Sequence, residues 1–300
     1  MERYSVHLKL LGMAVLWGAS WPMGRMLGQS LPPLTGGAVR FVLASVLLLG
    51  WLFTRSRFAT LAALSAREWL GLTVAASVGV CGYAVFFMLG LQAMPAGKAA
   101  VVVAVNPVLT LLLAAWLFGE RLNAKILAGM LLAVCGAITA VTQGQPLAVL
   151  SGGIKVGEWL IFGCVVCWAA YTLIGRAVLR GIDALTVTAA TSFIGALMLS
   201  VVALWTDGLP FEAMAAMDAR GWTALAWLVI GATVLAYAWY FEGVKILGAG
   251  SAAAYITLVP IFGMLSSAWV LGEPLHISLV AGCAAAVGGM TLMRYGQKVV

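Results

Sequence analysis

The sequence predicts an all-α polytopic membrane protein: ten transmembrane helices forming two five-helix repeats of inverted topology. Three observations predict it. The composition is too apolar for a water-covered globule, apolar runs of spanning length recur ten times, and the chain carries an internal duplication at an offset of 153 residues. Of its 300 residues, 63% are hydrophobic and 9% charged, whereas a soluble chain carries about a quarter of its residues as charges. So few polar groups cannot clothe a globule of this size, and the outer surface must face lipid. The net charge of +7 does not indicate nucleic-acid binding, because the basic residues are scattered between apolar runs rather than gathered in one patch.

A helix needs about 20 apolar residues to cross the hydrocarbon. Runs of that kind lie at 7–28, 34–54, 68–92, 97–118, 124–142, 157–179, 184–205, 221–242, 249–271 and 275–294. The first is read as a helix rather than a cleaved signal, since no A-x-A site follows it. Longer connections fall at 55–67, 143–156 and 206–220, the second rich in Gly and Gln and containing Pro146. The first repeat is therefore 1–143, the loop between repeats 144–156 and the second repeat 157–300. With a cytoplasmic N-terminus and alternating helices, 12 of the 17 basic residues fall inside; outside are only Arg25, Arg40, Lys98, Lys155 and Arg220. That bias sets the orientation. Shifting the count by one helix destroys it, so both termini are expected in the cytoplasm.

The duplication is gapless over 96–120 and 249–273. Ala96-Gly97 pairs with Ala249-Gly250, mid-helix Pro107 with Pro260, Trp116 with Trp269, and Gly119-Glu120 with Gly272-Glu273. Gly129, Ala133 and Gly136 continue it onto Gly282, Ala286 and Gly289; at an offset of 151, Trp17 pairs with Trp168 and Gly24-Arg25 with Gly175-Arg176. Five helices per repeat is an odd number, so the second repeat enters from the opposite side. Two similar halves facing opposite ways can exchange conformations, which yields alternating access to a site between them.

These motifs, with W-G-A-S-W-P at 17–22 and R-F at 40–41, resemble the EamA-type drug/metabolite transporter superfamily over essentially the whole chain. Within it the chain is similar to the YddG-type exporters of aromatic amino acids. The resemblance implies two inverted five-helix repeats around a central cavity, and export of small metabolites across the bacterial inner membrane.

Pro107 and Pro260 each lack the N–H that would bond four residues back, which leaves the carbonyls of Val103 and Ile256 needing partners and predicts paired kinks beside the pathway. Asn106, next to Pro107 and without a counterpart in repeat two, reads either as a substrate contact or as an interhelical hydrogen bond. The Gly-x-x-x-Ala-x-x-Gly faces of helices 5 and 10 allow close packing, where the last helices of the repeats meet or, alternatively, at a dimer seam. Of 30 aromatic residues, Trp51, Trp69, Trp159, Trp205 and Trp222 sit near helix ends as interface anchors. Seven lie deeper: Trp17, Tyr83, Phe87, Trp168, Tyr171, Tyr240 and Tyr255. They are the candidate walls of a cavity that would suit flat, apolar or aromatic solutes. Arg40 is the best-placed ionisable group. It reads either as the partner of a substrate carboxylate or as a lock on helix C-terminal carbonyls. Arg25, Glu120, Arg176, Glu242 and Glu273 lie at helix ends, where they would lock repeats or mark interfaces.

Cys164 and Cys167 form a C-x-x-C on an apolar helix without a nearby His, so they are read as packing residues, and no metal-ligand set is apparent. No catalytic group, metal or cofactor is expected. The expected partners are a small-molecule substrate and membrane lipid, with no nucleic acid; the protein is expected to be a monomer, a homodimer being the alternative. A multidrug or organic-cation exporter of the same superfamily is the alternative function. Small multidrug resistance proteins use a central carboxylate on helix 1, and 8–27 contains no acid. The lack of a mid-helix carboxylate predicts downhill release of solute from a cavity without fixed charge.

Overall fold

The computed structural model describes residues 2–55, 58–119, 122–145, 155–178, 181–247 and 252–297. The pairings of Glu120 and of Ala249-Gly250 read from the sequence lie outside them. Every element is helical. Among the described residues, eight helices are long and apolar enough to cross a membrane. They are α3 (Pro33–Thr54), α4 (Ala66–Ala93), α5 (Ala96–Phe118), α6 (Ala124–Val141), α7 (Val156–Val178), α8 (Ala184–Thr206), α9 (Ala219–Leu247) and α11 (Ile277–Gln297). The first predicted span is instead two segments, α1 (Glu2–Gly18) and α2 (Ser20–Ser30), and the ninth is the shorter α10 (Tyr255–Leu271). Short helices Phe58–Ala62 and Phe211–Ala215 lie in two of the longer connections.

The interruption between α1 and α2 has a local cause. Pro22 carries no N–H for the Gly18 carbonyl, although Ala19 N–H still bonds Val15 O (2.9 Å) and Met23 N–H bonds Ala19 O (3.2 Å). Gly18 itself is required by a close approach: a Cβ there would lie 2.5 Å from Phe262 Cβ and 2.8 Å from Gly263 N on α10.

The helices pair across the two halves of the chain: α3 with α8, α4 with α7, α1 with α9, α5 with α10 and α6 with α11. The α6–α11 seam is the tightest. A Cβ on Gly136 would meet Gly282 O at 2.5 Å, and one on Gly282 would meet Gly136 O at 2.5 Å; Gly129 and Gly289 stand in the same reciprocal relation at 2.6 and 2.5 Å. Small residues here bring backbone against backbone, so the seam is where these two helices meet.

Deviations from α geometry recur on corresponding helices. α4 contains a π-helical segment at Ser77–Gly82 and α9 one at Trp227–Leu235. α5 tightens to 3₁₀ at Val103–Val105 and α10 is preceded and opened by 3₁₀ at Ala253–Leu258. The carbonyls expected to be freed by proline are therefore not orphaned. Val103 O accepts from Asn106 N–H and Ile256 O from Val259 N–H, three residues on. The tighter turn replaces the bond that proline cannot make. α5 and α10 end on left-handed glycines, Gly119 (φ 68°) and Gly272 (φ 65°). The outer surface is strongly apolar, and the paired Trp116 and Trp269 are 79% and 86% exposed, as lipid contact requires.

Candidate functional site

A cavity of about 590 Å³ runs through the middle of the bundle. Its deep end is formed by Trp21, Phe87 and Ala100, and its lining continues to Met293, Arg294 and Gln297 at the C-terminal end of α11. Gln297 is exposed, so the lining reaches the surface at that end.

Of the residues singled out from the sequence, Trp17, Arg40, Tyr83, Phe87, Asn106, Trp168 and Tyr171 line this cavity, as do both kink prolines, Pro107 and Pro260. One wall is a connected run of rings. Trp21 meets Phe87 (centroids 5.0 Å), Phe87 stacks on Tyr83 (6.0 Å), and Tyr83 meets Trp168 edge-on (6.1 Å). Trp168 then leads to Tyr171 (6.0 Å). The π segment of α4 seats this wall, because Gly79 has no side chain to keep the Tyr171 ring off the backbone. A second group of rings forms around Trp17, which meets Tyr237 at 5.4 Å and donates its indole N–H to Ala232 O (2.9 Å), while Trp227 donates to Leu16 O (3.3 Å). These reciprocal bonds tie α1 to the π segment of α9 and supply partners to backbone carbonyls in apolar surroundings.

Two expectations are corrected. Tyr240 and Tyr255 do not line the cavity. Tyr240 packs on Trp17 (5.7 Å) and Phe241 (5.9 Å), and the Tyr255 hydroxyl is held by His7 Nδ1 at 2.6 Å, tying α1 to α10. Nor is the cavity without fixed charge, since Arg40 and Arg294 belong to its lining. Among the contributors that escaped the sequence reading are Trp21, Tyr237, and Thr188 and Thr191 on α8. Trp21 carried a signal, standing four residues from Trp17 and so on the same helix face. The α8 hydroxyls carried none, because Ser and Thr are common in apolar helices.

Arg40 has two neighbouring rings, Phe41 at 4.9 Å and Phe87 at 5.9 Å from its guanidinium carbon. Its Nε is buried with no hydrogen-bond partner, as is Asn106 Oδ1. No acid is among the described residues that line the cavity, and four acids elsewhere have partners of their own. Glu242 pairs with Lys9 (2.7 Å), Asp207 accepts from Thr35 N–H and Oγ1 (both 3.0 Å), and Asp183 and Asp218 cap α8 and α9.

The residues of the deep end, Trp21, Phe87 and Ala100, are all buried. Glu273, just after the left-handed Gly272, reaches the N-terminus of α5: Oε1 accepts from Ala96 N–H (2.8 Å) and Oε2 from Gly97 N–H (2.9 Å). Arg25 Nη1 donates to Glu273 Oε1 (3.3 Å) and to Met94 O (3.0 Å). Pro95 offers no side-chain cap, so the carboxylate supplies it from far along the chain and sits at the positive end of the helix dipole. On the far side of this contact lies a second, polar depression lined by Arg25, Gln29, Asp218, Arg220 and Glu273. Cys164 and Cys167 are buried within α7, the Cys164 thiol facing the Tyr83 carbonyl at 3.8 Å.

The comparisons agree with this architecture. Residues 5–142 and 155–295 each match the EamA-like transporter family. The uncharacterized transporter YyaM of Bacillus subtilis is 28% identical over 97% of this chain and 93% of its own length. A probable amino-acid metabolite efflux pump of Salmonella typhimurium is 26% identical over 100% of this chain and 97% of its own. One crystal structure superimposes with a TM-score of 0.65 at 22% identity, covering 96% of both chains. Two matches that together span most of the sequence settle the membership: the chain belongs to the EamA-like transporter family, a multi-pass membrane transporter with two EamA domains.

Proposed function

We propose that this transporter exports small metabolites, most of all aromatic or apolar amino acids, by alternating access between two inverted five-helix repeats. The observation that carries the reading is the cavity, walled by a run of aromatic rings, reaching the surface beside Gln297 and ending on the buried Trp21 and Phe87. Stacking and desolvation on such walls favour flat, apolar bodies. A relative named as a probable amino-acid metabolite efflux pump supports the solute class.

In this reading α1 with α2 forms one crossing and α10 another, which with the eight long helices makes ten. The charge bias of the basic residues then puts both termini in the cytoplasm of a bacterial inner membrane. The cavity faces the cytoplasm, and the Arg25–Glu273 contact closes the outside. A monomer suffices, since the small-residue faces of α6 and α11 are packed on each other. Movement is downhill: the charged residues among the described lining are Arg40 and Arg294, and Glu242 and Glu273 are engaged in ion pairs. The multidrug-cation alternative would bring a cationic solute beside Arg40.

The test is transport by purified protein in liposomes, using a panel of amino acids and organic cations. Saturable uptake of aromatic amino acids is expected, with little for cations. Saturable cation uptake that excludes amino acids would overturn the reading. Accumulation driven by a pH gradient alone would overturn downhill movement.

A further inference from the structure

We propose that Arg40 is the carboxylate anchor of the cavity and Asn106 the acceptor for the solute's N–H, so that the cargo is recognised by its acid group as well as by its ring. The inference deepens the amino-acid reading and rests on it.

Arg40 stands at the cavity wall, seven residues into α3, and no carboxylate among the described residues pairs with it. An uncompensated cation in low-dielectric surroundings is costly, and a bound anion relieves that cost. The rings of Phe41 and Phe87 offset only part of it. The guanidinium fork can meet a carboxylate in the paired geometry that Arg favours. Two polar atoms at this cavity are buried without partners, and they are of opposite kind: Arg40 Nε donates and Asn106 Oδ1 accepts. An α-amino acid carries the matching groups, an acceptor carboxylate and a donor ammonium on one carbon. The rings from Trp21 to Trp168 then receive its side chain.

Three probes of similar size separate the parts: L-phenylalanine, 3-phenylpropionate without the amine, and 2-phenylethylamine without the carboxylate. Binding is measured by calorimetry on the purified full-length protein. L-Phenylalanine and 3-phenylpropionate should bind at least about tenfold more tightly than 2-phenylethylamine. Arg40→Gln should remove that preference, Arg40→Lys should keep part of it, and Asn106→Leu should bring L-phenylalanine down to 3-phenylpropionate. Equal binding of all three by the wild type would overturn the anchor and leave the aromatic exporter standing. Binding of none would overturn the amino-acid reading and the anchor with it. Should Arg40→Gln not fold, the wild-type ranking of the three probes decides alone.

Discussion

The α6–α11 seam and the four interrupted helices around the cavity are both products of the same duplication, yet they are built in opposite ways. Along the seam, uninterrupted α-helices meet glycine on glycine, with backbone atoms where side chains would be. Around the cavity, α4 and α9 carry π segments, α5 and α10 carry 3₁₀ turns, and side chains stand off one another to leave about 590 Å³. Backbone contact over several turns has one arrangement, because a packed seam deforms poorly. A helix with mixed hydrogen-bond spacing has neighbouring arrangements close in energy, the property a moving element needs. Under the proposed alternating access, the difference assigns the fixed axis of the molecule to one pair of helices and the motion to the others.

The largest effect should come from breaking the seam. Gly136→Leu places a side chain where Gly282 O lies at 2.5 Å. It should abolish monodisperse protein in size-exclusion chromatography, since overpacking costs about 1–3 kcal/mol even where side chains can yield. Gly50→Leu, where nothing lies within 4 Å of the added carbon, should leave the elution profile unchanged. A tolerated Gly136→Leu would show that the seam is not the fixed axis.

Next is the deep end. Glu273→Gln keeps one acceptor for the α5 N–H groups but loses the charge that holds Arg25, a loss of about 1–2 kcal/mol. Labelling of a cysteine introduced at Ser20, with a reagent that cannot cross the membrane, should rise from the outer side by about tenfold. No change in labelling would mean that Trp21 and Phe87 seal the cavity without the latch.

Smaller still, Trp168→Ala should weaken binding of aromatic solutes by about tenfold, through lost ring contact. Its effect on Tm should be slight, because the residue borders a void. A variant that fails to fold but binds normally per folded molecule would make the ring part of the core. The smallest effect is expected at Pro260→Ala. The new N–H can bond Ile256 O, replace the 3₁₀ turn and straighten α10, so transport should slow a few-fold while Tm rises slightly.

Much of the framework was legible in the sequence, because membrane spans need length and apolarity and both are visible in a string of letters. The seam was legible for the same kind of reason: Gly129 and Gly136 and their mates Gly282 and Gly289 keep helical spacing. The cavity was legible in part. Trp17, Tyr83 and Trp168 were found from depth and repeat pairing, but the same reasoning misplaced Tyr255. Depth along a helix does not fix rotation about its axis, and a 3₁₀ turn through Tyr255 changes the face it presents. The π segments had no warning in the sequence, since no residue is required for them as proline is for a kink. The fate of the carbonyls of Val103 and Ile256 was missed because only the lost bond, and not the tightening that repairs it, can be read from a proline.

The volume of the cavity has a consequence for solvent. A space of about 590 Å³ holds on the order of tens of water molecules when no solute fills it. In the proposed cycle, closing around an aromatic body expels most of that water, so each turnover would carry a hydration change as well as a solute. Osmolytes too large to enter the mouth beside Gln297 lower the activity of water inside the cavity without occupying it. On that proposal they should favour the closed, solute-filled form, and the molecule would act as a small osmometer whose working volume is that of the cavity.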